Sequence, residues 1–180
     1  MNKVFGLKSE FAYLKEDASR IVISYNLTEV DDTHAEWVEV YVYKKQRSHL
    51  DFAEIKKAII DDINATTDEK ILNGYEWTIL HGDDEGKIVK VWLSKENQEN
   101  FKAKHDAAAA YPNLVTFPMK YKISEDDDEK AVYEVFQSFE ELVQFYLGGL
   151  AYIETCYQEG WAIKDNFDFS PYNNSETVEE

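Results

Sequence analysis

Along the chain, stretches whose apolar residues recur every second position alternate with stretches where they recur every third or fourth. This alternation predicts the elements. Residues 20–30 (RIVISYNLTEV) and 34–45 (HAEWVEVYVYKK) are β-branched and aromatic runs separated by Asp31-Asp32-Thr33, which predicts a hairpin. In the second run Val38, Val40 and Val42 share one face, while Trp37, Glu39, Tyr41 and Tyr43 share the other. A helix is predicted over 52–64, with Asp51 and Glu54 as reciprocal caps and Phe52, Ile55, Ile59, Ile60 and Ile63 on one side. The spacing of Thr66 and Glu69 predicts a second, short helix that stops at Asn73-Gly74, where glycine suits the left-handed position.

The same alternation continues. Residues 75–81 and 87–93 read as a second hairpin turning through Gly82, Asp83, Asp84 and Gly86, with Trp77 and Trp92 on facing arms and both expected in the core. Ser94 caps a helix to about Ala110, and Tyr111-Pro112 ends it. Residues 114–123 and 131–137 read as a third hairpin around the acidic loop EDDDEK. Ser138 and Glu141 form a capping box for a last helix from Phe139 to about Asp165. Leu142, Phe145, Tyr146, Gly149, Tyr152, Ile153, Cys156 and Tyr157 mark its buried side. Gly148-Gly149 inside it demands a bend or a closely packed neighbour. The order is hairpin–helix, three times, which predicts an α+β fold with antiparallel pairing. Residues 1–165 are expected to form one domain, or two lobes over 1–65 and 66–165, followed by a flexible acidic tail over 166–180.

Composition narrows the partner classes. With 19 basic and 36 acidic residues the net charge is -17. That disfavours nucleic acid and anionic membrane surfaces, both of which select for Lys and Arg. The N-terminal residues carry scattered charges and lack the apolar run of a signal peptide, and no stretch is apolar enough to span a bilayer. The expected place of synthesis is the cytoplasm. Aromatic content of 14% supplies ample core material. The single cysteine, Cys156, excludes an intrachain disulfide and reads as a buried thiol.

The candidate chemistry is thin. Glu125, Asp126, Asp127, Asp128 and Glu129 are consecutive and lack the alternate spacing and glycine of a Ca²⁺ loop, so they read as a solvated turn. His34, His49, His81 and His105 have no ligand spacing with one another or with Cys156, so no metal site is expected. No phosphate loop, nucleophile elbow or Ser-x-x-Lys pattern occurs, and no catalytic residue or cofactor is assigned. Two groups remain. Asn97 and Gln98 stand in the first turn of a helix, where they either contact a ligand or hydrogen-bond locally, the latter being the favoured reading. Trp37, Tyr41 and Tyr43 give a β-strand two apolar faces, so that face either meets a partner or is covered by the N-terminal segment around Phe5, Phe11 and Tyr13.

Five segments together resemble a domain of unknown function that recurs in tail and tail-fibre assembly proteins of bacteriophages and prophages, particularly phages of gut Bacteroidetes. They are EWVEVYVYKKQ, IIDDINATTDEKILNGYEW, VWLSKENQENFKAKHDAA, VYEVFQSFEELVQFYLGGLAYI and CYQEGWAIKD, and they span roughly residues 34–166. The chain departs from related sequences in carrying HGDDEG between Leu80 and Lys87. The resemblance implies a non-enzymatic protein that binds other phage structural proteins or itself, as a tail- or fibre-associated virion component or as an assembly factor in the host cytoplasm. It supplies no catalytic or ligand residues. Two other readings stay open: a small-molecule binding or enzymatic module, and an acidic host-takeover protein.

Overall fold

The structure, a computed structural model, describes residues 2–44 and 50–173. The elements in order are strands β1 (Asn2–Leu7), β2 (Leu14–Glu16), β3 (Arg20–Glu29) and β4 (His34–Tyr43), helix α1 (Phe52–Leu72), strands β5 (Tyr75–Thr78) and β6 (Ile88–Val91), helix α2 (Lys95–Ala110), strands β7 (Met119–Glu125) and β8 (Ala131–Phe136), and helix α3 (Phe139–Asp165). All strand pairing is antiparallel, so the fold is α+β as expected. The chain divides into two compact units, Met1–Thr66 with Gly160–Glu180, and Thr67–Glu159.

In the first unit the sheet order is β1-β4-β3-β2. The predicted hairpin forms its centre: Ile21 pairs with Val42, Ile23 with Val40 and Tyr25 with Val38. These alternate residues point at one face, where Ile55, Ile59 and Ile63 of α1 meet them at helical i, i+4 spacing. Each such side chain contributes roughly 1.5–3 kcal/mol by leaving water. Tyr172 from a 3₁₀ turn at Ser170–Tyr172 completes the core and donates its hydroxyl to the Ser24 carbonyl at 2.7 Å. Phe167 and Phe169 also pack there, so residues 166–173 are ordered by burial and do not form the frayed tail expected of them. Residues 174–180 of that tail lie outside the described residues, as does His49.

Two further differences concern α1 and the N-terminus. The helix runs unbroken through Thr66, whose hydroxyl donates to the Asp62 carbonyl four residues back at 2.9 Å. Thr66 is therefore bonded inside the helix and caps nothing. Asp51 and Glu54 cap α1 as expected: Glu54 N–H donates to Asp51 at 2.8 Å, and Asp51 N–H to Glu54 at 3.1 Å. Residues 2–16, for which the sequence predicts no strand, add β1 and β2 to opposite edges of the sheet.

The second unit holds hairpins β5–β6 and β7–β8 with α2 and the first part of α3. Its core gathers Tyr75, Ile79, Val91, Leu93, Phe101, Ile123, Phe136, Leu142, Phe145 and Cys156. The Ser124 hydroxyl ties β7 to the Lys90 carbonyl of β6 at 2.6 Å. Gly74 follows α1 at φ +76°, and a Cβ there would stand 1.9 Å from the Val91 carbonyl oxygen, so only glycine closes this corner. At Gly148 an added Cβ would stand a tight 3.3 Å from the Tyr75 ring, the close neighbour that the glycine pair demanded, while at Gly149 the contact is an ordinary 3.5 Å. The third hairpin starts only at Met119, after a turn over 112–118. Asp126 accepts the Asp128 and Lys130 amides in its acidic loop, which is a solvated turn.

Trp92 and Tyr157 depart from expectation. Trp92 is 42% exposed and Tyr157 39% exposed. The inward set of the second hairpin is Tyr75, Trp77, Val89, Val91 and Leu93, which puts Trp92 on the opposite side of the strand.

Candidate functional site

The aromatic face of β4 is closed at one end and open at the other. Trp37 is 3% exposed, so the expectation of a partner-facing indole is corrected. The N-terminal segment covers it. The Phe11 ring stands edge-on at 5.9 Å, the Lys15 ammonium lies 5.8 Å from the indole centroid, and a Cβ at Gly6 would come within 2.8 Å of the indole. Phe5 does not share in this. Register places it with Glu36, on the other face of the sheet, where it stacks on His34. Tyr13 packs edge-on against Tyr172.

Beyond Trp37 the strand opens. Glu39 accepts the Trp37 indole N–H at 3.0 Å and the Tyr41 hydroxyl at 2.7 Å, and Asn2 donates to the Tyr41 oxygen at 2.7 Å. The bond to Glu39 raises the Tyr41 phenol above its ordinary value, with desolvation adding to it. The Arg20 guanidinium lies 4.2 Å over the Tyr41 ring. Tyr41 is half-buried and Tyr43 is 55% exposed. On the opposite face, Val38 is buried and Val40 and Val42 are half-buried against the core, as the alternation predicts. Tyr25 donates to Asp62 of α1 at 2.6 Å, and burial followed by this bond pushes its phenol up.

Asn97 and Gln98 hydrogen-bond backwards along their own chain. Ser94 Oγ accepts the Asn97 amide at 3.2 Å, Asn97 donates its side-chain NH₂ to the Trp92 carbonyl at 3.0 Å, and Gln98 donates to the Leu93 carbonyl at 2.6 Å. These bonds fix the turn from β6 into α2. Gln98 also borders a cleft of about 230 Å³ inside the second unit, walled by Tyr75, Leu93, Phe101, Phe145 and Gly149. Its floor is apolar. The Tyr75 hydroxyl is spent on the Phe145 carbonyl at 2.8 Å, and burial pushes that phenol up. The cleft is shaped to hold an apolar group, with Gln98, Glu99 and Lys102 as polar lining residues, and Lys102 is ion-paired with Asp106.

One polar centre was missed by the sequence reading. Glu134 of β8 is fully buried and accepts four hydrogen bonds: Trp77 Nε1 at 2.7 Å, Leu80 N at 2.8 Å, Val135 N at 2.9 Å and His81 N at 3.1 Å. The signal was present, because strand alternation places Glu134 between inward-facing Val132 and Phe136. Beside it, His81 Nε2 lies 3.0 Å from Glu141, which also accepts the Gln137 amide at 2.7 Å. The bond to Glu141 raises His81 above its ordinary value. Desolvation pushes Glu141 up, but the Gln137 amide and His81 together hold it below the usual carboxylate range. This arrangement pins the loop between β5 and β6. Among the described residues no cluster of three or more His, Cys, Asp or Glu side chains is placed to hold a metal ion, and no helix is long and apolar enough to cross a membrane.

Compared with protein-family models, with curated proteins and with solved structures, the chain matches none.

Proposed function

We propose that this chain is a non-enzymatic protein-binding module of a bacteriophage or prophage, acting on other phage structural proteins as a tail- or fibre-associated component or as an assembly factor made in the host cytoplasm. The phage context rests on the resemblance of residues 34–166. The observation that carries the binding role is the open end of β4, where Tyr43 and half-buried Tyr41 leave amphipathic rings at the surface beside a closed Trp37. Mass spectrometry of purified virions separates the two roles: a component is stoichiometric in the particle, and an assembly factor is absent from it. Pull-down with the Tyr41→Ala, Tyr43→Ala double variant tests the surface. Loss of a phage-protein partner with the melting temperature retained is expected. A chain absent from virions and without any phage-protein partner overturns the reading.

A second reading follows from the cleft in the second unit, whose apolar walls and bordering Gln98 suit a small ligand with an apolar body. Ligand-observed NMR with apolar fragments, repeated on Gly149→Leu to fill the cleft, decides it. Fragments that bind the native chain and not the variant support that reading.

A further inference from the structure

The cleft in the second unit is bordered by β5, the turn after β6, α2 and α3, and every residue that lines it belongs to that unit. Gly149 helps to keep it open. A Cβ there would stand 3.5 Å from the Tyr75 ring and 3.7 Å from Leu93, two other walls of the cleft. Both distances are ordinary contacts, whereas Gly148 faces the same ring at 3.3 Å. Packing therefore accounts for the glycine at 148 and not for the one at 149, although glycine is the poorest helix former short of proline. What Gly149 supplies is space. At about 230 Å³ the cleft exceeds the roughly 150 Å³ of a dry cavity that holds benzene, and it falls short of the roughly 300–1,000 Å³ of a drug-sized site. One or two rings fit it.

The polar groups at its border have accepting capacity to spare. The Gln98 NH₂ is spent on the Leu93 carbonyl at 2.6 Å, which leaves Oε1 to accept. The Glu99 carboxylate is exposed and has no hydrogen bond or ion pair among the described residues. Lys102, the basic residue of the lining, is ion-paired with Asp106, which His105 also meets at 3.1 Å. The border charge left without a partner is therefore negative. The Tyr75 hydroxyl is already committed to the Phe145 carbonyl.

We propose that this cleft binds a small aromatic amine, with its ring against Tyr75, Phe101 and Phe145 and its protonated amino group at Glu99 and Gln98 Oε1. This rests on the small-ligand reading of the cleft and names the ligand class. An ammonium group only donates, so it matches two acceptors, while a carboxylate ligand would meet Glu99 as a like charge. The net charge of -17 draws cations toward the chain from further away.

The test titrates the full ¹⁵N-labelled chain at low salt with three probes that share one ring system: indole, tryptamine and indole-3-acetate. Tryptamine is expected to shift the Gln98, Glu99 and Gly149 amides. It is expected to bind about threefold or more tighter than indole, within the range of an exposed ion pair, and indole-3-acetate to bind most weakly. Glu99→Gln, a change at an exposed position, is expected to keep the melting temperature and to erase the difference between tryptamine and indole. Gly149→Leu is expected to weaken all three probes by filling the cleft. If no probe binds, the small-ligand reading and this ligand class fall together. If indole and tryptamine bind the native chain equally, or the tryptamine preference survives Glu99→Gln, the small-ligand reading stands and the amine assignment fails. Shifts confined to residues away from the cleft overturn the site.

Discussion

Replacing Glu134 by Gln tests whether the loop between β5 and β6 is held by a buried carboxylate. The two oxygens of Glu134 receive two donors each, Trp77 Nε1 and Leu80 N on one, His81 N and Val135 N on the other. A carboxamide keeps one oxygen and turns an NH₂ toward the second pair of donors. Whichever orientation it adopts, two buried N–H groups lose their acceptor. Each stranded donor costs about 1–3 kcal/mol, so the loss is roughly 2–6 kcal/mol before relaxation. That is a large share of the roughly 5–15 kcal/mol by which a folded domain is stable. Urea denaturation at neutral pH, followed by far-ultraviolet circular dichroism and tryptophan fluorescence, measures it, with the slope against urea expected to be unchanged. Glu76→Gln, on the exposed side of the β5–β6 hairpin, serves as the control and should stay within about 0.5 kcal/mol of the parent. A loss under about 1 kcal/mol for Glu134→Gln would refute the reasoning, because the four donors would then have other acceptors.

Three other outcomes follow from the same unit. Trp77→Ala removes a half-buried ring that meets Phe145 edge-on at 5.2 Å and should cost about 3–5 kcal/mol, whereas Trp92→Ala should cost less than about 1 kcal/mol; chemical denaturation ranks them, and equal losses would contradict the placement of Trp92. Gly149→Ala should stabilise by up to about 1 kcal/mol through helix propensity, since its Cβ meets Tyr75 and Leu93 at ordinary distances of 3.5 and 3.7 Å. Gly148→Ala should forfeit that gain, because its Cβ comes 3.3 Å from a Tyr75 ring anchored to Phe145; thermal melts that rank the two the other way would show that the ring yields. Protonated His81 is held by Glu141, so its folded pKa lies above the ordinary 6.5. That contribution is complete below about pH 6.5 and is lost as pH rises through the elevated folded value. Melting temperature should therefore decline over that interval in the native chain and less so in His81→Gln, and parallel profiles would remove His81 from the account.

Elements with strong period and a cap were legible in the sequence. The β3–β4 hairpin, Ser94 at the start of α2 and Gly74 after the end of α1 all follow from local chemistry that tertiary packing leaves intact. What escaped was set by distant contacts. β1 is mostly exposed and β2 is only three residues long, so NKVFGL and LKE lack the apolar alternation that marks a half-buried strand. They form because β4 and β3 offer edges. Without them, Trp37 reads as surface; with them, Phe11 and Lys15 close over it. Thr66 has a capping spacing yet sits mid-helix, because its hydroxyl can bond backwards as readily as it can cap. Asn97 and Gln98 were placed correctly in the first turn of α2, and their local bonds follow from that position. Glu134 was the avoidable omission, since a charged residue at an inward strand position announces a buried partner set.

The way Tyr172 closes the first unit has a consequence for timing during synthesis. That unit draws its core from both ends of the chain, with the hydroxyl of Tyr172 reaching a carbonyl 148 positions earlier. The second unit is one uninterrupted stretch, Thr67–Glu159. As the chain emerges from the ribosome, every residue of the second unit is free to fold before the first unit has its last core side chain. The sheet made earliest must then wait, with Ile23 and Tyr25 only partly covered, until the final aromatic residues arrive. A ribosome that stalls before residue 172 would release a chain whose later-made unit is folded and whose earlier-made unit is open, the reverse of the usual order in which proteins mature from their N-terminus.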